Sequence, residues 1–95
     1  MKISIYSTAF NILDKAFNHK DALDNWFVYA DEVCIAVNKS KDDTEDAIRE
    51  YGKEKGYNSK VVSVDIPYDD PFCYGKTENS ALQACSGDLM IQQNL

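Results

Sequence analysis

At 95 residues the chain suffices for one small domain with a thin core, or for a piece of a larger one. Its composition, 44% hydrophobic and 27% charged, is that of an ordinary globular protein. The net charge of -6, from 16 acids against 10 bases, argues against binding nucleic acid or an anionic membrane through a broad basic face, while leaving room for a phosphate held locally by backbone N–H groups and one or two lysines.

Residues 2–7 read as a first strand, with Ile3, Ile5 and Tyr6, followed by a loop at 8–14 that exposes Phe10, Asn11 and Leu13. Asn18 is a helix N-cap, with Asp21 placed where a carboxylate favours the helix dipole. The helix runs to about Ala30, and Ala22, Leu23, Trp26, Phe27 and Ala30 recur at helical spacing as its core face. Trp26 and Phe27 read as packing rather than as a ligand platform.

Residues 32–38 form a nearly unbroken apolar run with β-branched Val33, Ile35 and Val37, which suits a strand buried on both faces of a parallel sheet. The chain turns polar at Asn38, and Asp42 with Glu45 makes a capping box for a second helix that buries Ala47, Ile48 and Tyr51 and stops near residues 52–56. A third strand covers 60–66, ended by Pro67. Next comes a loop over 67–75 with two prolines, two aspartates and aromatic residues, then a third helix over 76–86 with Ala81, Leu82 and Cys85 inward. Gly87 suits the C′ position of that helix, and residues 88–92 begin a fourth strand. The alternation β-α-β-α-β-α-β predicts an α/β domain built on a parallel, Rossmann-like sheet of about four strands with flanking helices. Small ligands bind at the C-terminal strand ends of such sheets. The expected site therefore lies among the loops at 8–11, 38–42 and 67–76 and the segment 92–95.

Signals for chemistry are sparse. Neither a Gly-x-Gly-x-x-Gly fingerprint nor a Walker A loop is present. His19 is the single histidine, beside an N-cap, and reads as a solvated surface residue that supports no nucleophile-plus-base pair. Asp42 and Asp43 read as helix capping, and Asp69 and Asp70 as a solvated turn; adjacent acids are a weak sign of a divalent cation. Lys39 and Lys41 read as solvated loop lysines, with a phosphate contact as the alternative. Cys34, Cys73 and Cys85 are odd in number and show no metal-ligand spacing, which reads as reduced thiols in a cytoplasmic protein. Neither a signal peptide nor a stretch of membrane-spanning length is visible.

Four motifs in order resemble the N-terminal, nucleotide-binding part of family 2 type glycosyltransferases with the GT-A fold. They are a first strand leading into Thr8-Ala9-Phe10-Asn11, the run Ala30-Asp31-Glu32-Val33, the loop Ser40-Lys41-Asp42-Asp43-Thr44, and Asn79 followed by a helix ending at Gly87-Asp88. The resemblance spans essentially all 95 residues and implies an incomplete GT-A fold, the donor-binding half of a longer enzyme truncated at its C-terminus. It implies transfer of a sugar from a nucleotide-sugar donor to an acceptor (glycan, lipid or protein), with the nucleotide against Thr8, Ala9, Phe10, Asn38 and Ser40, and with Lys76 and Asn79 close by. It also implies a divalent metal, Mn²⁺ or Mg²⁺, on the diphosphate, acting as a Lewis acid.

The chain departs from the family pattern in three places. Asn38 stands where an acid is common, and Glu78 where a base often precedes the Asn of the third helix. The first metal-motif position falls on Asn94, whose oxygen is neutral, while the second falls past Leu95. The 95-residue chain by itself is therefore expected to lack catalysis. The same alternation also suits a non-catalytic flavodoxin-like or receiver-like binding module. Copies of the chain can also pair through an exposed sheet edge as a homo-oligomer.

Overall fold

The computed structural model describes residues 1–11, 13, 18–39 and 42–95. In chain order the elements are β1 (Ile3–Ala9), α1 (His19–Trp26), β2 (Glu32–Asn38), α2 (Thr44–Lys55), β3 (Ser59–Val64), α3 (Cys73–Ala84) and β4 (Leu89–Gln92). The four strands form one parallel sheet in the order β3-β2-β1-β4. The expected α/β architecture is the observed one. β2 is central, and every one of its residues is buried. Val33, Ile35 and Val37 join Ile5 and Ala9 of β1 on one sheet face, beneath Leu23 and Trp26 of α1 and Ile48 and Tyr51 of α2. On α1's exposed flank Phe27 stacks on Tyr57 with ring centroids 4.2 Å apart, so Trp26 and Phe27 both serve packing.

The opposite face carries Ser4, Glu32, Cys34 and Asn38, and α3 lies across it on β1, β2 and β3. A strand buried on both faces is normally apolar throughout. Here the α3 side is polar, and each polar group is bonded. Glu32 Oε1 accepts from the Ser86 amide at 2.8 Å and the Ser4 hydroxyl at 3.0 Å. Its Oε2 accepts from the Ser86 hydroxyl at 2.7 Å and pairs with Lys2 and Lys60, each at 3.2 Å. Burial pushes this carboxyl up; Ser86, Lys2 and Lys60 outweigh it and hold Glu32 well below the usual carboxylate range.

Several local expectations are corrected. β1 runs on to Ala9 rather than stopping at Ser7, because β2 continues to pair with it as far as Val37. The capping box does not form: Asp43 takes the N-cap position, Asp42 accepts from the amide of Thr44 at 3.0 Å, and Glu45 turns to Arg49 and to the Ser63 hydroxyl. α3 starts three residues earlier than the expected 76, since Asp70 organises its first turn by accepting from the amide of Phe72 at 2.8 Å. Gly87 is not a left-handed C′ residue; the helix ends in extended backbone at Cys85. What Gly87 provides is close approach, because a Cβ there would lie 2.9 Å from both the Lys2 carbonyl and the Ser4 amide. His19 is buried rather than solvated, edge-on to Tyr51 at 6.0 Å, and its Nε2 meets no partner among the described residues.

Candidate functional site: a cleft at the C-terminal strand ends

In the order β3-β2-β1-β4 the chain steps outward from β1 to β3, then returns across the sheet to place β4 on the other side of β1. The crossovers diverge there, and the C-terminal ends of β1 and β4 leave a crevice, the usual ligand position in an open α/β sheet. An open cleft of about 450 Å³ occupies that end, lined by Thr8, Ala9 and Phe10 after β1, Asn38 at the end of β2, and Asn94 and Leu95 after β4. Tyr68, Cys73, Tyr74 and Thr77 close it from the β3–α3 loop and the first turns of α3.

The walls are aromatic. Phe10 and Tyr68 meet with ring centroids 4.4 Å apart at 40°, and Tyr68 and Tyr74 are exposed. The Tyr68 hydroxyl donates to the backbone carbonyl of Lys39, tying the β3–α3 loop to the end of β2. Asn11 next to Phe10 has φ 48°, in the left-handed region that asparagine tolerates better than most residues, and this turns the chain sharply after β1.

Asn38 is almost wholly buried (3% exposed). Its Oδ1 accepts from the Ile66 amide at 2.9 Å and the Lys39 amide at 3.0 Å, and its Nδ2 donates to the Ile66 carbonyl at 3.1 Å. The side chain thus reproduces a backbone ladder and pins the loop after β3 to the end of β2. Thr77, also buried, donates its hydroxyl back to the Cys73 carbonyl at 2.8 Å.

Of the residues expected from sequence, Thr8, Ala9, Phe10, Asn38 and Asn94 line one cleft. Ser40 lies outside the described residues. Lys76 and Asn79 are exposed on α3 and do not line the cleft. The Lys76 ammonium pairs with Asp70, which it holds, with help from the Phe72 amide, below the usual carboxylate range. Tyr68, Cys73, Tyr74 and Leu95 fall within the segments expected to hold the site, though none was singled out, and Thr77 lies just beyond them. The early start of α3 is what puts Cys73, Tyr74 and Thr77 on one helical face toward the cleft.

Of the motifs that resemble the glycosyltransferase pattern, Thr8-Ala9-Phe10 lines the cleft, whereas Ala30-Asp31-Glu32 and Gly87-Asp88 sit at the other end of the sheet. Asp31 accepts from the Ile3 amide at 2.8 Å and Asp88 from the Lys2 amide at 2.9 Å, so the two carboxylates clip the start of β1 from its two neighbours. Ala30-Asp31-Glu32 and Gly87-Asp88 hold the sheet together at the end away from the cleft.

No family model matches the chain, and no curated protein matches it. Among solved structures it is similar to Staphylococcus aureus TarS, a glycosyltransferase, with a TM-score of 0.70 and 22% sequence identity. The fold is glycosyltransferase-like. The match covers 99% of this chain and 16% of TarS, so the chain spans a small part of the length of that enzyme. Among the described residues, no helix is long and apolar enough to cross a membrane.

Proposed function

We propose that the chain is the donor-binding part of a GT-A type glycosyltransferase and that a nucleoside, the base and ribose of a nucleotide-sugar donor, occupies the cleft. The observation that carries this is the placement of the Phe10, Tyr68 and Tyr74 rings around the C-terminal ends of β1 and β4 in a sheet of glycosyltransferase-like fold. A planar base stacks on aromatic faces without needing a charged partner. Thr8 supplies a hydroxyl, the backbone at Ala9 and Phe10 supplies N–H and C=O groups, and Asn38 fixes the wall rather than reaching out.

Among the described residues, no charged side chain lines the cleft. The diphosphate and sugar therefore extend past it, toward Asn94 or toward Lys76 and Asn79 on α3. The expected Mn²⁺ or Mg²⁺ finds one side chain in the cleft just after β4, Asn94, whose Oδ1 already accepts from Gln92 at 2.9 Å. A neutral, engaged oxygen without a carboxylate beside it does not make a site for a hard dication, and no step is derived through one. The acceptor and the residues that catalyse transfer belong to the part of such an enzyme this chain does not span.

The uncharged lining among the described residues also favours a second reading, a non-catalytic flavodoxin-like or receiver-like module that takes a neutral planar ligand. Calorimetric titration separates the two. Donor binding predicts saturable binding of a nucleoside diphosphate, with the bare nucleoside retaining most of the affinity when no metal is added. If the folded protein binds no nucleoside or nucleoside diphosphate of any base, the donor-binding proposal fails.

A further inference from the structure

At the opposite end of the sheet, beneath the last turn of α3, three potential donors converge. The carboxylate of Glu32, the thiol of Cys34 and the thiol of Cys85 present one ligand atom each, all within 4.8 Å of one another. Cys34 Sγ lies 3.4 Å from Glu32 Oε1. We propose that Glu32, Cys34 and Cys85 form a binding site for a thiophilic divalent cation of the zinc class, using two thiolates and one carboxylate oxygen.

The spacing suits the chemistry. Zinc bonds of ~2.3 Å to sulfur and ~2.1 Å to oxygen, at tetrahedral angles, put donor atoms about 3.6–3.8 Å apart. The three atoms lie within 4.8 Å of one another, with Cys34 Sγ and Glu32 Oε1 at 3.4 Å, so closing on a metal asks for contraction of about an ångström at most, within reach of side-chain rotation. Sequence spacing concealed the site: Cys34 and Cys85 are far apart in the chain, and the sheet register brings β2 under the end of α3.

The charge balance is also favourable. Replacing two thiol protons by one divalent cation leaves the formal charge of the cluster unchanged, so Lys2 and Lys60 keep their pairing with Oε2. Those lysines and Ser86 hold the carboxylate in one orientation, which is what a well-defined metal site needs around its ligands. Two sulfur donors select Zn²⁺, Cd²⁺ or Co²⁺ over Mg²⁺ and Mn²⁺, which separates this site from any hard metal of a glycosyl-transfer reaction. Cys34 is fully buried and Cys85 half-buried, so the metal enters from the side of α3. Once bound, it ties the end of α3 to β2.

The test is a titration of the fully reduced, oxygen-free protein with Co²⁺, followed by Zn²⁺. Thiolate-to-cobalt charge-transfer absorption in the near ultraviolet should saturate at one equivalent and be bleached by Zn²⁺. Cys85→Ser should abolish it and Cys73→Ser should keep it. Native mass spectrometry of the unaltered protein with Zn²⁺ should show one metal gained and two protons lost. Apparent affinity should fall by up to about a hundredfold per pH unit on acidification, because two protons compete with each metal ion. Absence of the charge-transfer band in the reduced protein, a band that survives Cys85→Ser, a band that requires Cys73, or zinc uptake without loss of two protons would each overturn the proposal.

Discussion

Glu32 and His19 set how this protein responds to acid. Both are buried, and both bind their proton less readily in the folded protein than in the unfolded chain, for opposite reasons. Burial, with Lys20 nearby, lowers His19, so below its ordinary value of 6.5 the unfolded chain takes up the proton first and stability declines. Glu32 is lowered by its ion pairs and the Ser86 bonds; its contribution is complete above its ordinary value of 4.5 and is lost as the pH falls below that. Urea midpoints measured from pH 8 to pH 3 should therefore fall in two stages. His19→Gln should remove the upper one and Glu32→Gln should shrink the lower, to which Asp24 and Asp70, also held below the carboxylate range, contribute the rest; the Glu32 change should cost roughly 3 kcal/mol at neutral pH for breaking a buried charge cluster. A single unchanged stage in both variants would contradict this assignment. Glu32 also shows where residue-level reading fell short. Next to Val33 and Ile35 it looked like the polar start of an apolar run, and nothing local reveals that Ser86 just after α3, Lys2 just before β1 and Lys60 of β3 meet it.

Among the elements, the strands were the most legible. Val33, Ile35 and Val37 announced the central strand with its true boundaries, since a strand buried on both faces needs an apolar run whatever its neighbours are. The start of α3 was illegible because Asp70-Pro71 has the composition of a turn, and in fact is the turn that launches the helix. That shift moved Tyr74 and Cys73 from the loop onto the helix and into the cleft wall. The loop between β3 and α3 is held by Asn38, which bonds both the amide and the carbonyl of Ile66. Asn38→Ala should leave these backbone groups without partners and cost about 1–3 kcal/mol of stability. It should also loosen Tyr68 and so weaken nucleoside binding; Asn38→Asp, which keeps one acceptor, should restore part of the stability. Equal stability of the alanine variant and the unaltered protein in urea would show that the loop is held by other contacts.

The whole molecule divides its sheet between two tasks. The N-terminal strand ends are clipped by Asp31, Asp88 and the Glu32 cluster, and the C-terminal ends open into the aromatic cleft. Two of the sequence motifs that resemble the glycosyltransferase pattern lie at the clipped end, while Thr8-Ala9-Phe10 lies in the cleft. The strand alternation was legible, but which side chains of the β3–α3 segment face the cleft depends on where α3 starts. Because the proposed nucleoside rests on stacking, Tyr68→Ala should weaken its binding by roughly tenfold or more, the order expected for losing a base-stacking aromatic. The ring is more than half exposed, so losing its bond to the Lys39 carbonyl and its contact with Phe10 should lower the melting temperature only by a few degrees, leaving the protein folded at the temperature of the titration. The most direct measurement is a two-dimensional amide NMR titration of the isotopically labelled protein with uridine, cytidine, adenosine and guanosine diphosphates, each followed by the matching nucleoside. Saturable shifts are expected for at least one base, concentrated at Thr8, Ala9, Phe10, Tyr68 and Tyr74 and similar for diphosphate and nucleoside. Shifts absent for every base, or saturable shifts centred on the Asp31 and Asp88 end of the sheet, would contradict it.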